Sequence, residues 1–136
     1  MRKLIFAIPA AMLLAAPAIG GEKPDLTEKQ QVTLDKRLAG RTAGEPRSCI
    51  NRSDQRRMTV ISDDVLIFGS SRNAKTIYVN QPYGGCRNAD HSILSYSRPT
   101  SQLCKGEIIT LIDSASRMPM GGCAFGEFVP YTKNAD

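Results

Sequence analysis

The chain contains no Trp, a single His, four Phe and four Tyr in 136 residues. So few rings mean that its core must rest on aliphatic side chains and be modest in size. The four Cys form no C-x-x-C, and one His cannot complete a Cys/His ligand set, so structural zinc and thioredoxin-like redox chemistry fall away. The glycine pairs Gly84-Gly85 and Gly121-Gly122 have no Lys-Ser or Lys-Thr after them, which removes a phosphate loop and leaves turn or bulge duty. A strong excess of one charge is missing too. The formal charge of the full chain is +5, and it drops to +3 when Arg2 and Lys3 leave with the leader described below. That is too mild for a dedicated nucleic-acid binder, and no nucleic-acid partner is expected.

What is present begins with MRKLIFAIPAAMLLAAPAIG, which reads as an export signal. Arg2 and Lys3 are the charged n-region, Leu4 to Ala16 the apolar stretch, and Ala16-Pro17-Ala18 the small-x-small cleavage pattern. The apolar stretch is too short for a membrane span and no second one follows, so no transmembrane segment is expected. Cleavage falls between Ala18 and Gly20. A cut after Ala18 leaves 118 of the 136 residues, one domain's worth of chain. The expected location is periplasmic or secreted, an oxidising setting in which Cys49, Cys86, Cys104 and Cys123 pair as disulfides. Four Cys allow three pairings, and spacing does not choose among them. The preferred one is Cys86–Cys104 nested inside Cys49–Cys123, closing an irregular segment and tying the domain's start to its last strand. With so little aromatic content, these links rival the net stability of the domain.

Three regions follow: the signal over 1–18, a helix with a flexible connector over 19–47, and a stapled β domain over 48–132. The helix spans Asp25 to Leu38, with Thr27 and Gln30 as a capping box, Lys36 and Arg37 in the last turn and Gly40 as a stop. Its apolar stripe is thin, chiefly Leu34 and Leu38, so it must dock or fray. Residues 57–62 and 65–69 read as strands joined by an Asp63-Asp64 turn, with Met58 and Val60 on one face and Thr59 and Ile61 on the other. Residues 76–80, 92–97, 107–113 and 122–131 are further strands, the last two an antiparallel pair. Residues 107–113 (EIITLID) carry apolar groups on both faces: one lines the core, and the other is expected to receive the helix or another strand layer. The fold class is therefore mainly β, a small antiparallel barrel or sandwich of about six strands with one N-terminal helix, stapled by disulfides.

The residues also carry a resemblance. Cys49-Ile50, Asp63-Asp64 and Tyr78-Val79-Asn80 lead to Cys86, followed by Leu103-Cys104-Lys105-Gly106-Glu107-Ile108-Ile109 and Cys123-Ala124-Phe125-Gly126-Glu127-Phe128. Over about residues 49 to 131 this is similar to a family of small exported proteobacterial proteins classed as a domain of unknown function. The resemblance implies four paired cysteines and a cell-envelope setting. It implies no activity and no catalytic residues.

Candidate chemistry is sparse. Asp90-His91-Ser92 contains the residue types of a hydrolase triad, but consecutive residues in extended chain cannot form the relay. Asp63-Asp64 lacks the alternating oxygen ligands of a calcium loop and suits a hairpin tip. Arg47, Arg52, Arg56 and Arg57 face a single nearby acid, Asp54. Arg52, Arg56 and Arg57 are accordingly the candidate anion-facing surface, a role competing with that of a solvated strand edge. Residues 82–88, around Tyr83-Gly84-Gly85-Cys86-Arg87, form a disulfide-pinned loop of the kind that inhibitors present. No catalytic, cofactor or metal residues are assigned. The expected function is a non-catalytic envelope module, structural or binding, whose partner is an envelope protein or anionic polymer. The alternative is an inhibitor of an envelope-targeting hydrolase or protease.

Overall fold

A computed structural model describes residues 23–135; the leader expected over residues 1–18 lies outside the described residues. Period-two alternation of large apolar residues explains how the main sheet is built. Leu66, Phe68 and Tyr78 face one way, whereas Val65, Ile67, Ile77 and Val79 face the other. Both sets are shielded from water, so this sheet is a middle layer with a cluster of core residues on each side.

The sheet has the order β1 (Arg41–Ala43), β10 (Phe128–Lys133), β5 (Thr76–Asn80), β4 (Val65–Gly69), β3 (Arg57–Ser62), all pairs antiparallel. Against one face lie a three-stranded sheet of β6 (Ser92–Tyr96), β8 (Ile108–Asp113) and β9 (Pro119–Ala124), and the short pair β2 (Cys49–Asn51) and β7 (Gln102–Cys104). The opposite face receives α1 (Glu28–Leu38). Among the described residues the protein is thus mainly β, a sandwich-like stack with one α-helix and two disulfides, as the pattern of strands predicts. Ten strands occur among the described residues where about six are expected. Three of the additional ones, β1, β2 and β7, have three residues each and are too short to leave a periodic signal.

The scarcity of rings is met by concentrating them. Phe68, Phe125 and Phe128 meet in one cluster, with Phe68 edge-on to both others at centroid distances of 5.7 Å, and Tyr96 stands edge-on to Phe125 at 5.2 Å. On the other side, Leu34 of α1 is buried, with Leu26 and Leu38 half-buried, over Ile61, Val65, Ile67 and Ile77. The capping box is formed: the Thr27 hydroxyl accepts from the Gln30 amide, and the Gln30 side chain accepts from the Thr27 amide. The thin stripe therefore docks. No helix among the described residues is long and apolar enough to cross a membrane.

Three expectations are corrected. The predicted strand over 122–131 is two strands: β9 pairs β8, whereas β10 joins the main sheet beside β5. Phe125, Gly126 and Glu127 form the crossing between layers. Part of the 39–47 connector is β1, and Arg47 makes a further bridge to Phe128. The third correction concerns sulfur. The bonds are Cys49–Cys104 and Cys86–Cys123, interleaved in sequence instead of nested. Register is the reason. Cys49 stands directly opposite Cys104 in the β2–β7 ladder, with Cα atoms 4.0 Å apart. Cys123 faces the core from β9, opposite Ile109, where Cys86 meets it.

Candidate functional site

The β6–β8–β9 sheet turns Leu94, Tyr96, Ile109, Leu111 and Cys123 inward. Strand alternation then obliges Ile93, Ile108, Thr110 and Ile112 to point outward. Ladder register continues this outer face across Ile93 beside Ile112, Ile112 beside Pro119, Thr110 beside Gly122 and Ile108 beside Ala124. No charged residue occupies any of these positions. The helix, one of the two covers expected for this face beside a strand layer, sits on the main sheet instead, and Ile93 and Ile108 are left in water. Ile108 is 64% exposed, Met118 64%, Met120 49% and Ile93 39%. Gly122 shapes the surface further: a Cβ there would sit 2.9 Å from the Ile109 carbonyl oxygen and 3.8 Å from Ile108 Cγ2. Met120 is the extra residue of a bulge, since Leu111 pairs with Gly121 and Ile112 with Pro119. This places the Gly121-Gly122 pair in a bulge region, as its type suggests.

The other glycine pair and Asp63-Asp64 are brought together. The Asp63 carbonyl accepts from the Cys86 amide at 2.6 Å, and its carboxylate accepts from the Ala89 amide at 3.1 Å. Gly85 has φ of +71°, and any Cβ there would lie 2.6 Å from Asp64 Oδ1. The hairpin tip thus seats on the 84–89 loop, with the Asp63 carboxylate bonded to its backbone and the Asp64 carboxylate close against Gly85. Among the described residues no group of three or more His, Cys, Asp or Glu is arranged to hold a metal ion. The loop over 82–88 is tied down on both sides: the Tyr83 amide donates to the Ala124 carbonyl at 2.8 Å, and Pro82 and Cys86 are buried. Tyr83, Gly84, Arg87 and Asn88 are its exposed residues.

Asp90 and His91 belong to a turn of 3-10 helix (Ala89–His91), not to extended chain. His91 Nε2 lies 3.3 Å from Asp90 Oδ2, both side chains being largely in solvent, while the Ser92 hydroxyl donates to the Asn88 carbonyl. The three do not converge on a reacting position. Arg52 is in the 3-10 turn Arg52–Gln55, with Arg56 just after it, and both are exposed. Arg57 opens β3 and, with Thr59 and Ile61, is on the α1 side of the sheet. The helix and loop arginines near Arg57, Arg37 and Arg72, escape sequence reading because they lie 20 and 15 positions away from it. The exposed Met120 escapes it because β9 begins three residues before the segment that periodicity marks, and Met118 lies in the bend just before β9.

In comparison with known proteins, no family model matches the chain, and no curated protein or solved structure matches it either.

Proposed function

We propose that the protein is an exported, non-catalytic binding module whose partner is a protein that covers the outer face of β6, β8 and β9. The observation that carries this reading is the exposure of Ile93 and Ile108 on the outer face of this sheet, with Met118 and Met120 exposed in the bend and bulge at its edge. Burying a large aliphatic side chain is worth about 1.5–3 kcal/mol, so four left in water represent a substantial driving force for association. The uncharged register positions of this face complement an uncharged apolar protein surface, not a polyanion. Export and a periplasmic or secreted location are supported by the leader-like first residues and by two disulfides. The alternative reading, an inhibitor acting through residues 82–88, has the exposed Tyr83 in its favour. It draws less support, because backbone bonds from Tyr83 to Ala124 and from Cys86 to Asp63 hold the loop against the body of the protein.

A photo-crosslinking amino acid at position 108 or 120, in the protein expressed in its native envelope, tests the reading. Discrete protein adducts are expected from these positions and not from 52 or 83. Ile108→Lys with Met120→Lys should abolish adduct formation from a probe at position 93 while keeping the melting temperature. Adducts formed equally from position 83 would favour the inhibitor. Their absence from 93, 108 and 120 would refute the docking face.

A further inference from the structure

The β4–β5 loop, residues 70–75, gathers cations from three other elements. Arg37 of α1 donates through Nη1 to the Arg72 carbonyl at 3.2 Å. Lys133 of β10 donates to the Asn73 carbonyl at 3.0 Å. Arg41 of β1 donates to the Ala74 and Lys75 carbonyls, each at 2.9 Å. Four successive carbonyls thus each take a cationic side chain. The ion pairs among the described residues are His91–Asp90 and Lys105–Glu127, so none of these cations has a carboxylate partner there. The crowding is felt by Arg41, whose pKa is lowered first by burial and then by the neighbouring Arg37 charge.

Beside this loop, Arg37, Arg57 and Arg72 line an open cleft of about 530 Å³ together with Met58, Thr59 and Val60. Three arginines and no acidic residue line it. Arg57 and Arg72 are exposed, whereas the Nε of Arg37 is buried and has no hydrogen-bond partner. A buried donor left unpaired is costly until an acceptor arrives. Like charges held together by a scaffold repel, and a bound anion relieves that repulsion. Guanidinium forks donate in pairs to oxyanions. A carboxylate offers two oxygens, which one fork satisfies, while a phosphoryl group offers three and carries more charge.

We propose that the cleft formed by Arg37, Arg57 and Arg72 is a binding site for a phosphoryl group. It lies on β3, α1 and the β4–β5 loop, apart from the apolar outer face, and does not depend on the function proposed above. Arg52 and Arg56 are not among its lining residues.

The test is a titration of the purified protein with inorganic phosphate at constant ionic strength, read from the arginine Nε–H signals by NMR. Saturable shifts are expected at Arg37, Arg57 and Arg72, with acetate at least fivefold weaker. Arg57→Gln and Arg72→Gln should each weaken phosphate binding at least tenfold and leave the melting temperature in place. In a second arm, vesicles of phosphatidylglycerol that compete with phosphate would identify a lipid headgroup as the source of the phosphoryl group. Failure of the vesicles to compete, with phosphate still bound, would identify a soluble phosphate. Non-saturable shifts shared with Arg52 and Arg56, equal binding of acetate, or undiminished affinity in both variants would overturn the site.

Discussion

Asn80 holds the crossing between the two main sheets. It is fully buried, and its side-chain amide donates to the carbonyls of Gly126 at 2.8 Å and Glu127 at 3.2 Å, while its oxygen accepts from the Gly126 amide at 3.1 Å. Those backbone groups leave β9 before β10 begins, so neither ladder is there to satisfy them. Gly126 approaches the Gln81 carbonyl so closely that a Cβ would collide with it, which explains a glycine at this place. Asn80→Ala leaves one amide and two carbonyls unpaired in a dry interior. A loss of about 3 kcal/mol is expected in urea unfolding, with the slope of the transition unchanged. Asn80→Asp should be at least as damaging, because it keeps the acceptor but sets a buried oxygen against two carbonyls. A variant as stable as the wild type would remove the clasp from the account of the fold.

The hairpin of β8 and β9 depends on a carboxylate at its bend. Asp113 Oδ1 accepts from the Ser116 amide at 2.6 Å, the Ser116 hydroxyl at 2.8 Å and the Ala115 amide at 3.2 Å. The Ser116 amide, followed by its hydroxyl, holds the Asp113 pKa below the usual carboxylate value. A carboxyl whose pKa is depressed on folding stabilises the folded turn fully above its unfolded pKa, about 4, and loses that contribution as pH falls through the folded value. The Ser116 amide should therefore lose hydrogen-exchange protection as pH drops below about 4, relative to amides in β4. Asp113→Asn should flatten that dependence. Because Asp113 is half-buried at the end of the sheet and its bonds stay within the bend, the effect belongs to this turn and not to global stability. The consequence for the docking face is direct, since Met118 and Met120 follow this bend.

Taken as one body, the molecule is held by two covalent links, one between its layers and one across a single short ladder. Cys86–Cys123 joins the loop leaving β5 of the main sheet to β9 of the facing sheet, and Cys49–Cys104 joins β2 to β7. Two strands of three residues would not persist as an isolated pair. With separations of 55 and 37 residues, each closure is worth about 4 kcal/mol on the chain-entropy model. Peptide mapping without reduction should recover Cys49–Cys104 and Cys86–Cys123. Removing either bond by paired Cys→Ala substitution should lower stability by several kcal/mol, roughly as that model predicts. The Cys86 pair should cost more, because both of its sulfurs also lie in the core that surrounds Phe68. Equal melting temperatures for variant and wild type would refute the role of the staples.

Residues 57–62, 65–69 and 76–80 were legible as strands because alternation and turn chemistry act over a few neighbours, and the Thr27–Gln30 cap was legible for the same reason. The need for two disulfides followed from composition and the leader. Which sulfurs pair did not, because pairing is decided by the register of β2 against β7 and by the side of β9 that faces the core. The same limit applies to the candidate sites. EIITLID displays two apolar faces in sequence, but only the docking of α1 on the other sheet leaves one of them in water. Arg57 stands out within a basic segment, yet Arg37 and Arg72 reach it through helix docking and loop closure. Local order was written in short-range pattern; sheet membership, sulfur pairing and exposed surface were decided by contacts between residues far apart in the chain.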